Sequence, residues 1–281
     1  MKKLILLVSV GLFSLGAFAQ VDTPAPSPFQ KIEQTVGLTD VTLEYSRPSV
    51  KGRKIFGGLV PFNEIWRTGA NARTKISFSD KVTIGGKELE AGTYAIFTKP
   101  TAKNWQVYFY TEYGGGGAPR NWDASKVAAE VTVPVYPMPM SVETFTMTFD
   151  DLKNDSANLG MIWENVYVAL PIKFNTDAQV TASIKSVMGG PSANDYYASA
   201  VYYLESDKDI NKAKMWIDKA IEMREKPAFW YHRQQSLIYA KSGDKKGAVK
   251  AAQTSLSLAK EAGNSDYVAL NTKSLKEWGA L

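Results

Sequence analysis

Seven basic residues fall within Tyr45–Lys75, YSRPSVKGRKIFGGLVPFNEIWRTGANARTK: Arg47, Lys51, Arg53, Lys54, Arg67, Arg73 and Lys75, against one acid, Glu64. Arginine presents a planar fork that pairs bidentately with carboxylate or phosphate. Arg47, Lys51, Arg53 and Arg67, with Trp66 and Asn71, are therefore the expected lining of a site for an anionic group. Cations gathered without matching acids repel one another. A bound anion, carboxylates from elsewhere in the fold or solvent must offset that repulsion. The competing reading makes these arginines clamps that donate to loop carbonyls, and Trp66 a core anchor. Four glycines and two prolines in the stretch rule out a helix, while Phe56, Phe62 and Trp66 supply too much aromatic area for a disordered tail. An ordered, irregular segment presenting cations on a rigid support is expected.

The rest of the chain offers little other chemistry. His232 is the only histidine and there is no cysteine. Histidine triads, histidine metal clusters, thiolate nucleophiles, thiolate metal sites and disulfides are thereby excluded. The carboxylates Glu64, Glu112, Glu143, Asp150, Asp151 and Glu164 could in principle run glycoside hydrolysis, but none is paired by a recognisable spacing. Asp150-Asp151-Lys153-Asn154-Asp155 lacks the alternation and turn glycine of a calcium loop and reads as a solvated hairpin tip. Gly114–Gly117 has neither a helix start nor a lysine-serine pair after it, so a flexible loop beside a binding face is expected rather than a phosphate cradle. No catalytic residue, metal or cofactor is assigned.

Several motifs carry a family likeness. Tyr45-Ser46-Arg47-Pro48, Lys51-Gly52-Arg53, Ile55-Phe56-Gly57, Leu59-Val60-Pro61 and Trp66-Arg67-Thr68-Gly69-Ala70-Asn71 resemble the bacterial envelope family catalogued as domain of unknown function 2911. Ala91-Gly92-Thr93-Tyr94 and Trp163-Glu164 extend the resemblance, which covers about residues 30–174. It implies an envelope setting and brings no catalytic assignment with it.

The start of the chain agrees with that setting. Lys2 and Lys3, the apolar run Leu4 to Phe13 and Ala17-Phe18-Ala19 form the three parts of a signal peptide over 1–19. No cysteine follows the apolar run for lipid attachment, so the mature chain is expected to begin at Gln20, in the periplasm or beyond, with no transmembrane segment. The formal net charge is +5, of which Lys2 and Lys3 account for two. The basic stretch holds the remaining excess locally, which is not the spread basic face of a nucleic-acid binder.

Positioning these residues falls to two kinds of element. Residues 20–29 alternate Pro24, Pro26 and Pro28 and read as a linker. From there to 174 the period is two. Strands are expected around Val41-Leu43-Tyr45, at 75–78, 82–84, 87–89 (turning at Gly85-Gly86), 93–97, 105–110, 128–135 and 144–149. Two more, 158–163 and 166–171, are expected to pair across Glu164-Asn165. Short strands with frequent turns predict an all-β antiparallel sandwich or barrel-like domain over 30–174. At 177 the period becomes 3.6. Helices are expected at 177–188, 193–206, 210–224, 228–242, 245–261 and 266–279, the second opened by a Ser192–Asp195 capping box. Ala213 and Ala220, then Ala248 and Ser255, recur with a 35-residue offset, and Tyr239 precedes Gly243-Asp244. This resembles the tetratricopeptide repeat, and a helical repeat domain over 177–281 is the result.

The expected function is that of a non-enzymatic envelope protein. The basic loop would hold an anionic small molecule or glycan, and the helical repeats a protein or peptide partner. The alternative is a carboxylate-based hydrolase acting on an anionic glycan, with Arg53 and Arg67 holding the anion and Glu64 as acid or base.

Overall fold

A computed structural model describes residues 23–281, so the leader expected at 1–19 and the start at Gln20 lie outside the described residues. Residues 29–174 form nine antiparallel strands: β1 (Phe29–Val36), β2 (Thr39–Ser46), β3 (Ala70–Phe78), β4 (Val82–Ile84), β5 (Lys87–Leu89), β6 (Gly92–Pro100), β7 (Asn104–Tyr110), β8 (Val127–Asp150) and β9 (Ser156–Phe174). Their order in the sheet is β1-β2-β3-β6-β7-β8-β9-β4-β5. Alternation in β2 buries Val41, Leu43 and Tyr45 on one face, as the period of two requires. The sheet curls: Ser49, just past β2, bridges Thr144 on β8, although three strands separate β2 from β8 in the sheet order. Curling lets Leu43, Ile76, Ile96, Val107, Phe145, Met161 and Leu170 share one core.

Three expectations need correction. Residues 128–135 and 144–149 are parts of one strand, β8, despite Pro134, Pro137 and Pro139. Pro134 is the last residue paired with β7, and Val135 begins the pairing with β9, so the prolines lie where the strand changes partner. A missing N–H costs least there. Likewise 158–163 and 166–171 do not pair with each other; both belong to β9, which continues through Glu164 in a left-handed conformation (φ 49°) as an irregularity opposite Val142. Finally, the linker expected over 20–29 ends in a strand not foreseen, β1, an edge strand with few apolar residues.

Six helices follow: α1 (Thr176–Val187), α2 (Ala193–Glu205), α3 (Ile210–Glu222), α4 (Phe229–Lys241), α5 (Lys245–Glu261) and α6 (Ser265–Glu277). The Ser192–Asp195 capping box is present, and Asp209, Asp244 and Asn264 cap α3, α5 and α6. Ala213, Ala220, Ala248 and Ser255 are all fully buried, which allows close approach of neighbouring helices. Among the described residues, no helix is long and apolar enough to cross a membrane.

Helix α1 starts against the sheet. Gly37, at the β1–β2 turn with φ +60°, faces Thr176 and the Asn154 carbonyl so closely that a β-carbon would overlap both. Gln179 donates to the Asp80 carboxylate, and the Phe174 N–H donates to the Asp155 carbonyl at 2.7 Å.

Candidate anion-binding cleft

The irregular segment between β2 and β3 is stitched to the sheet by its backbone. Val50 N–H donates to the Glu143 carbonyl (2.8 Å), Phe145 N–H to Pro48 (2.8 Å), and Trp66 and Thr98 exchange N–H···O bonds of 2.7 and 2.9 Å. Ile55 and Val60 are buried in the core, and Phe56 packs on Trp105 with centroids 5.2 Å apart. Phe62, another expected anchor, stays outside the core at 37 % exposure and lies against Gly57. Lys51, Asn63, Thr68 and Asn71 all have positive φ. Thr68 is the unusual one, since a β-branched side chain at φ 56° is strained. Its hydroxyl donates to Thr98 Oγ1 (3.1 Å) and its carbonyl accepts from Thr74 Oγ1 (2.6 Å), which holds the turn in place.

The cations of this segment have different fates. Arg47 donates from Nε to the Phe145 carbonyl (3.1 Å) and from Nη2 to Thr146 Oγ1 (2.7 Å). Arg53 donates to the Val50 and Ser49 carbonyls at 3.0 and 2.6 Å. Arg73 donates to the Gly117 and Glu112 carbonyls at 3.2 and 2.6 Å and lies over the Phe97 ring at 5.5 Å. Lys75 pairs with Glu44 at 2.7 Å. Lys51 is exposed at a turn, where its backbone N–H donates to the Glu143 carboxylate (2.8 Å). Asn71 donates to the Ser27 carbonyl (3.1 Å), which ties the segment before β1 to the body.

Arg67 is different. Its guanidinium makes no hydrogen bond or ion pair with the described residues, and its Nε is buried without a partner. It lines a cleft of about 390 Å³ together with Arg53, Glu64, Trp66, Val60, Pro61 and Trp163. Of the six residues expected at an anion site, the cleft therefore gathers Arg53, Trp66 and Arg67. Arg47, Lys51 and Asn71 are not among its lining residues. Glu64 is the one carboxylate of the lining, and it joins neither arginine in an ion pair. Gly117 approaches Arg67 and Ala118 lines the cleft, so the glycine-rich loop borders it, pinned by Arg73. That border was not readable from spacing, because the loop is brought to the cleft by long-range contacts, among them Ala72–Gly116, Arg73–Gly115 and the Arg73 side chain on Gly117.

Nearby, burial pushes the Tyr45 phenol above its ordinary pKa, against the Met147 N–H and the Arg47 charge, which pull it down. Tyr45 thus stays a neutral donor to Gln30 Oε1 at 2.7 Å. His232 faces Gln235 of its own helix at 3.2 Å, away from any cluster of ionisable ligands. Among the described residues no group of three or more histidine, aspartate or glutamate side chains is placed to hold a metal ion.

A curled antiparallel sheet with an arginine-lined cleft, followed by six helices, defines the class of protein. The chain belongs to the family described as Protein of unknown function (DUF2911), whose model matches residues 27–172. That span covers the sheet and the cleft and stops short of the helices. No curated protein and no solved structure matches the chain.

Proposed function

We propose that this is an exported, non-enzymatic envelope protein that binds an anionic small molecule in the cleft between Arg53 and Arg67. The observation that carries the reading is the Arg67 guanidinium, which lines the open cleft and makes no hydrogen bond or ion pair with the described residues. A cleft-lining guanidinium without a partner among the described residues offers charge-assisted hydrogen bonds to an anion. The strained backbone of Thr68, next in the chain, is the kind of outlier that persists at ligand clamps. The signal-like start over 1–19 supports export. The alanine-seamed helices support a repeat-type module that takes a protein or peptide partner. Two-carboxylate glycan hydrolysis needs a second acid flanking the bond, and Glu64 stands as the single carboxylate of the lining.

The test is thermal unfolding of the mature chain with millimolar phosphate, sulfate, acidic sugars and simple carboxylates, at constant ionic strength. Stabilisation by at least one of them, lost in Arg67→Ala while the ligand-free melting temperature holds or rises, is the expected result. A melting temperature indifferent to every anion would sink the reading.

A further inference from the structure

Resting on that anion-binding reading, we infer that the cleft takes a monocarboxylate with an apolar body, in preference to an inorganic oxyanion. Size is the first reason. About 390 Å³ lies in the range of small-molecule sites, roughly 300–1,000 Å³, and is far more than a phosphate fills. The second reason is the lining, where Leu59, Pro61, Ile65 and Trp66 offer apolar surface that an inorganic anion cannot use.

Charge is the third reason. Arg53 and Arg67 against Glu64 leave one net positive charge in the lining. A monoanion neutralises it, whereas a dianion would add a negative charge facing Glu64. Glu64 is exposed, and no described residue forms an ion pair with its carboxylate. Shape is the fourth reason. Arg53 already donates from Nε and Nη2 to carbonyls, so it contributes mainly field. The Nη groups of Arg67 make no hydrogen bond with the described residues, and a planar two-oxygen acceptor matches such a pair of N–H donors edge to edge. The carboxylate therefore sits on Arg67 and the body runs along Trp66 and Leu59.

The experiment is calorimetric titration of the mature full-length chain with butyrate, hexanoate, octanoate and phenylbutyrate, with phenylbutyramide and with inorganic phosphate. Affinity is expected to rise with chain length, by up to about fourfold per buried methylene, until the cleft is full. Phenylbutyramide is expected not to bind, and phosphate to bind more weakly than hexanoate. In Glu64→Gln the preference for hexanoate over phosphate should narrow by about two- to fivefold, from loss of one partly screened charge. Arg67→Lys, which keeps the charge and guards against a folding defect in Arg67→Ala, should weaken every carboxylate by removing the fork. Phosphate binding as tight as octanoate and dependent on Arg67 would overturn this inference while leaving the anion-binding reading intact. So would an affinity independent of chain length, or equal binding of the amide. Failure of every anion to bind would overturn both.

Discussion

Trp66 and Trp163 stack with centroids 5.9 Å apart and planes 19° from parallel. Trp66 comes from the irregular segment and Trp163 from β9, and Phe145 of β8 packs on both at 5.1 and 5.6 Å. The Trp163 indole N–H donates to the Glu143 carbonyl at 3.2 Å, so the ring is fixed in place as well as packed. The same pair belongs to the core and to the lining of the cleft. Arg67 follows Trp66 directly, so its position depends on how that ring is seated.

Trp66→Ala should therefore cost stability as well as binding. Truncating a large, half-buried aromatic that touches Trp105, Phe145 and Trp163 is expected to cost about 3 kcal/mol. Urea unfolding measures it; a loss below about 1 kcal/mol would mean that Trp66 serves the cleft alone.

Arg47 and Arg73 are expected to behave as clamps. Arg47→Ala leaves the Phe145 carbonyl and Thr146 hydroxyl without a donor and should lower unfolding free energy by roughly 1–3 kcal/mol. Arg73→Ala releases the Glu112 and Gly117 carbonyls and should speed proteolytic cutting within Gly114–Gly117 more than it lowers global stability. An unchanged cutting rate would show that the loop is held by other contacts.

Gly37→Ala tests how α1 is seated. The position needs φ +60° and has no room for a β-carbon beside Thr176 and the Asn154 carbonyl. A loss of about 1–3 kcal/mol is expected, with faster proteolysis around Thr176–Val187. Gly86→Ala, strained by φ +81° but facing open space, isolates the backbone cost for comparison.

Stability should fall on the alkaline side. Burial, helped by the neighbouring carboxylates Asp150, Asp177 and Asp218, pushes Tyr167, Tyr202 and Tyr239 up to about 12 from an ordinary value of 10.0. Tyr197 also rises to about 12, mainly through burial. These raised values mean that between 10 and 12 the folded chain holds protons the unfolded chain has released. Their contribution is whole below 10 and is lost as pH rises to 12. Melting curves at stepped alkaline pH, with tyrosinate absorbance followed in parallel, would check this. Full tyrosinate absorbance at pH about 11 before any unfolding would contradict it.

Local rules carried much of the fold. Gly85 and Gly86, with φ of 58° and 81°, turn β4 into β5 as a two-glycine loop should. The helices follow from their 3.6-residue period and from caps such as Ser192–Asp195, interactions that span only three residues. Strand continuity was less legible. Pro134, Pro137 and Pro139 look like breaks unless it is known that β8 changes partner there, and Glu164 looks like a hairpin unless β9 is known to pair with Val142.

The amino-acid sequence by itself determined the switch from period two to 3.6, the family motifs and the clustering of cations in Tyr45–Lys75, because each is a property of neighbours along the chain. Tertiary structure decided which cations remain available. Arg47 is spent on Phe145 and Thr146, 98 and 99 residues away, and Arg73 on carbonyls 39 and 44 residues away. Arg67 lines the cleft without a hydrogen bond to any described residue. All three have the same charge and the same donors. What separates them is whether folding brings a carbonyl within about 3 Å of the guanidinium, and no local pattern encodes that distance.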